Sequence, residues 1–428
     1  MVLLVHVPVG FEEAYPLALA ALAASLKARG HRVEGLDAAR VGATGLRARL
    51  TRGDVEVVGI SAWSPGALAV RAVVKLVRTC APKVRVVLGG PHPTLKPGDI
   101  EADAVVQGEG EVSFPDLLDA WAAGRSGGGV LGVWTEAERV SSRPTPCDLG
   151  AIPPPDRLAF RVGDYHRDHN PRGRRYTATV TSRGCLHACA YCSAPSLWGR
   201  GHRYRPAEQV VAEWAQLRRD HDVGGLLVED DLFTQRPARV EALCEALLAS
   251  PPGVGWELIN GIRPETVSPG LLQLMARAGC TRIAFAIETG DTGRLRALGR
   301  GDDPARVSRS VAAARAAGIG VTGYFMVGLP GESARERHRL FQYARGLGLD
   351  MAHFSLASAW PGTSWPEAPS PVSVAERAAM YGRWYLHPGR ARRAAAMLGV
   401  GVKDLPRMGA RLVDWMVRPL EARRAAIQ

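Results

Sequence analysis

Short apolar runs alternate along this chain with longer stretches whose apolar positions recur every three or four residues. That alternation predicts strands and amphipathic helices in turn. In the first ~125 residues the pattern predicts strands over Val2–Val7, His31–Leu36, Val55–Ser61, Val84–Leu88 and Ala104–Gln107. Helices are predicted over Tyr15–Arg29, Gly66–Thr79 and Phe114–Trp121. The strands are almost continuously apolar, as in a parallel sheet covered by helices on both faces. Gly127-Gly128-Gly129 and Pro153-Pro154-Pro155 then break the rhythm. Residues 126–175 read as a connector, with a small hairpin expected within Val130–Val140.

The rhythm returns at Tyr176. Strands are predicted over Tyr176–Thr181, Gly225–Glu229, Gly255–Ile259, Arg282–Ile287, Gly320–Val327 and Met351–Leu356. Helical stretches such as Ala207–Arg219, Pro237–Leu248 and Pro304–Ala317 fall between them. Six such units are too few for a closed eight-unit barrel. The expected class is therefore α/β: a doubly wound parallel sheet, a partial (β/α)6 barrel and a helical C-terminal region.

In such folds ligands and catalytic groups gather at the carboxyl ends of the strands. The first sheet offers Ser61-Ala62-Trp63-Ser64, Gly89-Gly90-Pro91-His92 and Gly108-Glu109-Gly110-Glu111 there. Glycine lets a flat ligand approach the backbone, although the same residues also make ordinary βα turns. The second set offers Glu229-Asp230-Asp231, Arg263, Glu288-Thr289-Gly290 and Gly328-Leu329-Pro330-Gly331-Glu332. Acidic residues at strand ends can bind ligands or cap helices.

The sharpest chemical signal is Cys185, Cys189 and Cys192, spaced C-x-x-x-C-x-x-C with Tyr191 before the last. Three thiolates on one short loop can hold a four-iron cluster and leave one iron open. Zinc is the rival, and it would need a fourth ligand such as His187 or His202. Cys80, Cys147, Cys244 and Cys280 are dispersed and read as structural thiols.

The 428 residues suffice for two or three domains, and 46% hydrophobic content excludes a disordered chain. No apolar run approaches the ~18–20 residues of a membrane span. The apolar start reads as a strand and not as a signal peptide. Seven cysteines then suit a reducing cytoplasm. The net charge is +12, and residues 371–428 hold eleven Arg/Lys against four Asp/Glu. Such a patch can attract nucleic acid, a membrane surface or an acidic partner protein. With no nucleic-acid motif in view, a solvated helical surface is the expected reading.

The cysteine spacing with Tyr191 resembles the cluster loop of radical S-adenosylmethionine (SAM) enzymes. The resemblance implies that the open iron of a [4Fe-4S] cluster is chelated by SAM. Reductive cleavage then gives a 5′-deoxyadenosyl radical, and a low-potential electron donor is required. It also implies SAM-binding roles for Tyr191, Glu229, Asp230, Arg263, Glu288 and Gly328, whose segments resemble the family's strand-end motifs. Trp360-Pro361-Gly362-Thr363 resembles the turn after the family's sixth strand.

Tyr15-Pro16-Leu17, Gly30-His31-Arg32-Val33 and Gly89-Gly90-Pro91-His92 resemble the cobalamin-binding-type domain that precedes many radical SAM cores. This implies cobalamin near Ser61, Gly89, Gly90 and Gly108. The loop Pro8–Ala14 lacks the Asp-x-His-x-x-Gly run of carriers that ligate cobalt through imidazole. His6 is read as a core or edge residue.

The implied organisation is 1–125 cobalamin-binding-like, 126–175 connector, 176–365 radical SAM barrel and 366–428 basic helical region. The favoured activity is cobalamin-dependent methylation of an unactivated carbon of a small molecule. The alternatives are cobalamin-independent radical dehydration, oxidation or rearrangement, and a non-catalytic metal-binding interaction protein.

Overall fold

A computed structural model of the protein describes residues 1–7, 14–137, 146–165, 175–301, 303–365 and 369–398. The loop following Val7, residues 138–140 of the expected hairpin and the basic region beyond residue 398 lie outside the described residues. The chain forms two compact units, one built mainly on Met1–Tyr165 and one on the residues that follow.

The first unit runs β1 (Val2–His6), α1 (Leu17–Ala28), β2 (Val33–Asp37), α2 (Ala38–Leu50), β3 (Val57–Ser61), α3 (Ala67–Cys80), β4 (Arg85–Gly89), α4 (Pro91–Leu95), β5 (Ala104–Val106), α5 (Gly110–Ala122) and β6 (Val133–Trp134). Sheet order is β2-β1-β3-β4-β5-β6. The first five strands are parallel. Within the segment of the expected hairpin, Val133 and Trp134 pair antiparallel with Val106 and Val105 and add an edge strand to the sheet.

Alternation along the strands explains the two-sided core. Leu3, Val5, Val58, Ile60, Val86 and Leu88 pack with Leu46 and Leu50 of α2 and with Val70, Val73, Val74 and Val77 of α3. On the opposite face Gly59 makes room for a neighbour. A Cβ there would lie 2.8 Å from Leu4 Cδ2 and 3.1 Å from Phe114 Cε1.

The second unit runs β7 (Arg175–Thr179), β8 (Ser182–Arg183), α6 (Ala194–Trp198), β9 (Arg203–Tyr204), α7 (Ala207–His221), β10 (Val223–Val228), α8 (Pro237–Ala249), β11 (Gly255–Ile262), α9 (Pro269–Arg277), β12 (Cys280–Glu288), α10 (Thr292–Ala297), α11 (Pro304–Ala316), β13 (Gly320–Val327), α12 (Ala334–Gly346), β14 (Met351–Leu356), α13 (Val374–Tyr385) and α14 (Pro388–Leu398). Its main sheet has the order β14-β13-β12-β11-β10-β7, parallel throughout. Trp214, Trp256, Phe233, Phe285, Phe325 and Phe354 are fully buried in its core.

The edge strand β14 would expose unpaired backbone groups, and α13 covers them. Tyr381 Oη accepts the Phe354 N–H at 3.0 Å, and four residues on Tyr385 Oη donates to the Ala352 carbonyl at 3.0 Å. Because every strand of this sheet points the same way, all six carboxyl ends share one rim. The cysteine loop leaves from the first of them, β7.

Candidate functional site

The cysteine loop is built from its roots. Asp230, just beyond β10, is buried and accepts three hydrogen bonds, from Thr181 N, Thr181 Oγ1 and Ser182 Oγ, each at 2.6 Å. Arg239 Nη2 donates to the Thr181 carbonyl at 3.0 Å. Asp231 Oδ2 accepts the Gly184 N–H at 2.7 Å, and Gln235 Oε1 accepts Leu186 N–H at 3.2 Å. Gly184 has φ +90°, and a Cβ on it would stand 2.2 Å from the Gly201 carbonyl of the returning hairpin. Only glycine fits there.

Farther along, Ala190 is held on both sides. Its N–H donates to the Leu298 carbonyl at 3.0 Å, and its carbonyl accepts Ser364 N–H at 3.0 Å. The three cysteines are half-buried free thiols. The Cys189 charge acts on Cys185, and the Cys189 and Cys185 charges act on Cys192. Burial raises the Cys185 pKa and pushes Cys192 up to about 11. The Cys185 and Cys192 thiols are therefore neutral until metal displaces their protons. Among the described residues no three His, Cys, Asp or Glu side chains converge on a single-ion position. Three neighbouring thiols on one loop suit a cluster with one open iron. His202 packs against Tyr204, with burial lowering its pKa to about 4.

Tyr191 links the loop to β12. Its hydroxyl donates to Glu288 Oε1 at 2.8 Å. Glu288 is buried and takes a left-handed backbone, φ +63°, rare for a side-chain-bearing residue. Arg300 Nη1 donates to Tyr191 Oη at 3.0 Å and reaches Glu288 Oε1 at 3.4 Å. The Tyr191 ring also lies 6.3 Å from that of Trp365 and packs on Leu298, Met326 and Leu329.

The other expected SAM residues are placed as follows. Glu229 is half-buried at the end of β10, its N–H on the Thr179 carbonyl at 2.9 Å. Arg263, buried after β11, pairs with Glu265, and its charge is felt at Cys185. The Asp230 carboxylate is engaged by the chain's own donors. Gly328 is similarly engaged: its N–H donates to Glu332 Oε2 at 2.6 Å and its carbonyl accepts Ser370 N–H at 2.9 Å. A Cβ on Gly328 would sit 2.7 Å from the Ser370 carbonyl. Burial raises the Glu332 pKa. Asp231, Gln235 and Arg300 went unassigned at the sequence level. Arg300 lies between two glycines in a turn, without a motif to flag it.

In the first unit Ser61, Gly89 and Gly108 stand at or just past the carboxyl ends of β3, β4 and β5. A Cβ on Gly89 would meet only the Val106 carbonyl, at 3.5 Å, so the backbone there is open to close approach. Gly90, φ +89°, is crowded by the chain itself: a Cβ would lie 2.7 Å from Ser61 Oγ. His92 bridges Ser64 Oγ and Asp99 Oδ2 at 3.0 and 2.8 Å, fixing the α4 turn. His6 packs edge-on to Tyr165, ring centroids 6.4 Å apart, and burial lowers its pKa. The β4 end at Gly89 thus leaves room for a flat cofactor.

Comparison with known proteins agrees with both halves. The radical SAM superfamily profile matches residues 179–344, and the B12 binding domain profile matches residues 7–118. An uncharacterized methyltransferase of Pyrococcus horikoshii is 30% identical over 319 residues, covering 72% of this chain and 68% of the relative. Cytidylyl-2-hydroxyethylphosphonate methyltransferase of Streptomyces wedmorensis is 28% identical over 409 residues, covering 80% and 76%. The structure of the radical SAM methyltransferase TsrM from Kitasatospora setae, with tryptophan substrate and a SAM analog bound, superposes with a TM-score of 0.74 at 21% identity. It covers 88% of this chain and 76% of that one, a likeness of fold. The chain thus belongs to the radical SAM superfamily, as an enzyme that carries a B12-binding domain ahead of its radical SAM domain.

Proposed function

We propose that the enzyme is a cobalamin-dependent methyltransferase that uses SAM to methylate an unactivated carbon of a small molecule. The observation that carries this reading is the union, in one chain, of a B12-binding domain with a radical SAM domain. The methyltransferase names of two relatives support it. Enzyme membership removes the non-catalytic interaction protein from the field.

When bound, a [4Fe-4S] cluster supplies the electron for reductive cleavage of SAM, and cobalamin supplies a methyl carrier. The chain's own part is to bind and orient. Cys185, Cys189 and Cys192 would hold the cluster. Glu288 and Tyr191 would meet SAM at the β12 end, with Glu229 and Arg263 offering charges on the same rim. Asp230 and Gly328 would act on the shape of that rim through the backbone they hold. Ser61, Gly89, Gly90 and Gly108 would form the floor for cobalamin. We assign residues 1–125 to the cobalamin domain, 126–175 to the connector, 176–365 to the radical SAM domain and 366–428 to the basic C-terminal region. A low-potential one-electron donor completes the system, and a reducing cytoplasm suits it. No helix of the described residues is long and apolar enough to cross a membrane.

The test is anaerobic: reconstitute with iron and sulfide, add hydroxocobalamin, remove the excess, then record iron content and visible spectrum. About four irons per chain with cobalamin retained is the expected result. Four irons without cobalamin would overturn the methyl-carrier reading and leave cobalamin-independent radical chemistry.

A further inference from the structure

The turn Leu298-Gly299-Arg300 follows α10 and belongs to none of the recognised strand-end segments, yet it carries the middle of the cysteine loop. The Leu298 carbonyl receives the Ala190 N–H at 3.0 Å. Gly299, φ +71°, lies so close that a Cβ would be 3.1 Å from the Ala188 carbonyl. Arg300 is 3% exposed, and its two terminal nitrogens reach three different segments. Nη1 donates to Tyr191 Oη at 3.0 Å and approaches Glu288 Oε1 at 3.4 Å; Nη2 donates to the Ala286 carbonyl at 2.7 Å. Ala286 and Glu288 flank the point where β12 enters its left-handed end. Such a strained residue persists only when its surroundings over-determine it, and strain of this kind gathers at functional sites.

We infer that Arg300 is a positioning residue of the radical SAM centre. It clamps Tyr191, next to Cys192, to the strained carboxylate of Glu288, so that cysteine loop and β12 end move as one body. The inference rests on the radical SAM reading of this site. A buried guanidinium is suited to the task because its rigid planar fork aims donors at a hydroxyl, a carboxylate and a carbonyl from two nitrogens, whereas an ammonium concentrates its donors on one flexible point charge. A buried hydroxyl shared between a cation and an anion is also a strong joint, since charge-assisted bonds exceed neutral ones. The consequence is mechanical. With the clamp intact, what binds at Glu288 is registered at the loop that holds the cluster. Without it, three cysteines remain to bind iron, but the link to Glu288 is gone.

The experiment compares the full-length reconstituted wild type with Arg300→Gln, Arg300→Lys, Tyr191→Phe and the double variant Tyr191→Phe/Arg300→Gln. Three quantities are read: iron per chain, SAM affinity by anaerobic calorimetry, and the EPR spectrum of the reduced cluster with and without SAM. Arg300→Gln should keep wild-type iron, bind SAM about 10–100-fold more weakly, the scale of one lost hydrogen bond to a charged group, and lose the SAM-induced change in the EPR signal. Arg300→Lys should recover part of both. The double variant should be no worse than Arg300→Gln alone, because the pair acts as a unit. Wild-type SAM affinity and EPR response in Arg300→Gln would overturn the inference, as would full additivity in the double variant. Should Arg300→Gln fail to fold by circular dichroism, Tyr191→Phe decides, since it removes one hydroxyl and keeps the buried charge pair. A wild type that takes up no four-iron cluster would overturn the underlying reading along with the inference.

Discussion

Asp230 accepts both the amide and the hydroxyl of Thr181 at 2.6 Å, and it takes Ser182 Oγ at the same distance. A single buried carboxylate thereby anchors the root of the cysteine loop to the end of the neighbouring strand. Asp230→Ala would leave three donors without their acceptor and the buried Arg239 guanidinium, 3.9 Å away, without its counter-charge. Breaking such a buried array costs about 3–5 kcal/mol. The expected outcome is a lower denaturation midpoint and poor iron retention after reconstitution. Wild-type unfolding and iron content combined with weakened SAM binding would instead make Asp230 a ligand contact.

Gly184 offers a sharper geometric test, with a control close by. Gly184→Ala forces a Cβ to 2.2 Å from the Gly201 carbonyl at φ +90°, whereas Gly199, φ +74°, has nothing within 4 Å of its Cβ position. Gly199 also has ψ −173°, a backbone region nearly reserved for glycine, so Gly199→Ala should cost about 1–3 kcal/mol of backbone strain but meet no clash. Gly184→Ala should displace the hairpin and abolish iron binding while far-UV circular dichroism stays near wild type. Equal iron content in the two variants would show that the hairpin yields easily, and that Gly184 is not required by shape.

The strands were legible because each is a buried apolar run, and the cysteine loop because its spacing is local. Helix α2 was not legible. Its sequence Ala38-Ala39-Arg40-Val41-Gly42-Ala43-Thr44-Gly45 carries two glycines and a threonine, poor helix formers. It is fixed instead by the Asp37 cap on Ala39 N–H at 2.9 Å and by Leu46 and Leu50 docking on the sheet. The same limit applies at the site. Glu288 could be singled out from its place at a strand end. Arg300 could not, because its value lies in three contacts made by chain folding and in no property of its neighbours. For Asp230 the sequence supplied the right position but not the direction of the side chain, which turns inward to Thr181.

His353 predicts a pH dependence of stability. It sits on β14, and burial lowers its pKa to about 4, with the Arg377 charge adding to the effect. Tyr381 Oη lies 2.8 Å from His353 Nδ1. The same hydroxyl accepts the Phe354 N–H at 3.0 Å, tying the buried ring to the β14 backbone. Below pH 6.5 the unfolded chain takes up a proton that the folded ring refuses. The contribution is thus fully present above pH 6.5 and is lost as pH falls toward 4. His202, also lowered to about 4, acts with the same sign. His353→Gln should therefore shrink, without abolishing, the fall in melting temperature between pH 7.5 and pH 5. Parallel pH profiles for variant and wild type would show that His353 titrates normally in the folded protein.

Two adjacent glycines separate what the first sheet needs for itself from what it offers a cofactor. Gly90→Ala would place a Cβ 2.7 Å from Ser61 Oγ and 3.0 Å from the Ala62 carbonyl at φ +89°, so it should lower the melting temperature of the apoprotein. Gly89 has no such conflict. Its added methyl would meet the Val106 carbonyl at 3.5 Å, an ordinary contact, on the carboxyl edge where doubly wound sheets receive ligands. If the floor for cobalamin includes Gly89, Gly89→Ala should leave apoprotein melting unchanged and still reduce the cobalamin retained after desalting, read from the visible spectrum. Cobalamin retained at the wild-type level by Gly89→Ala would place the cofactor's contact elsewhere along that edge and exclude close approach at β4.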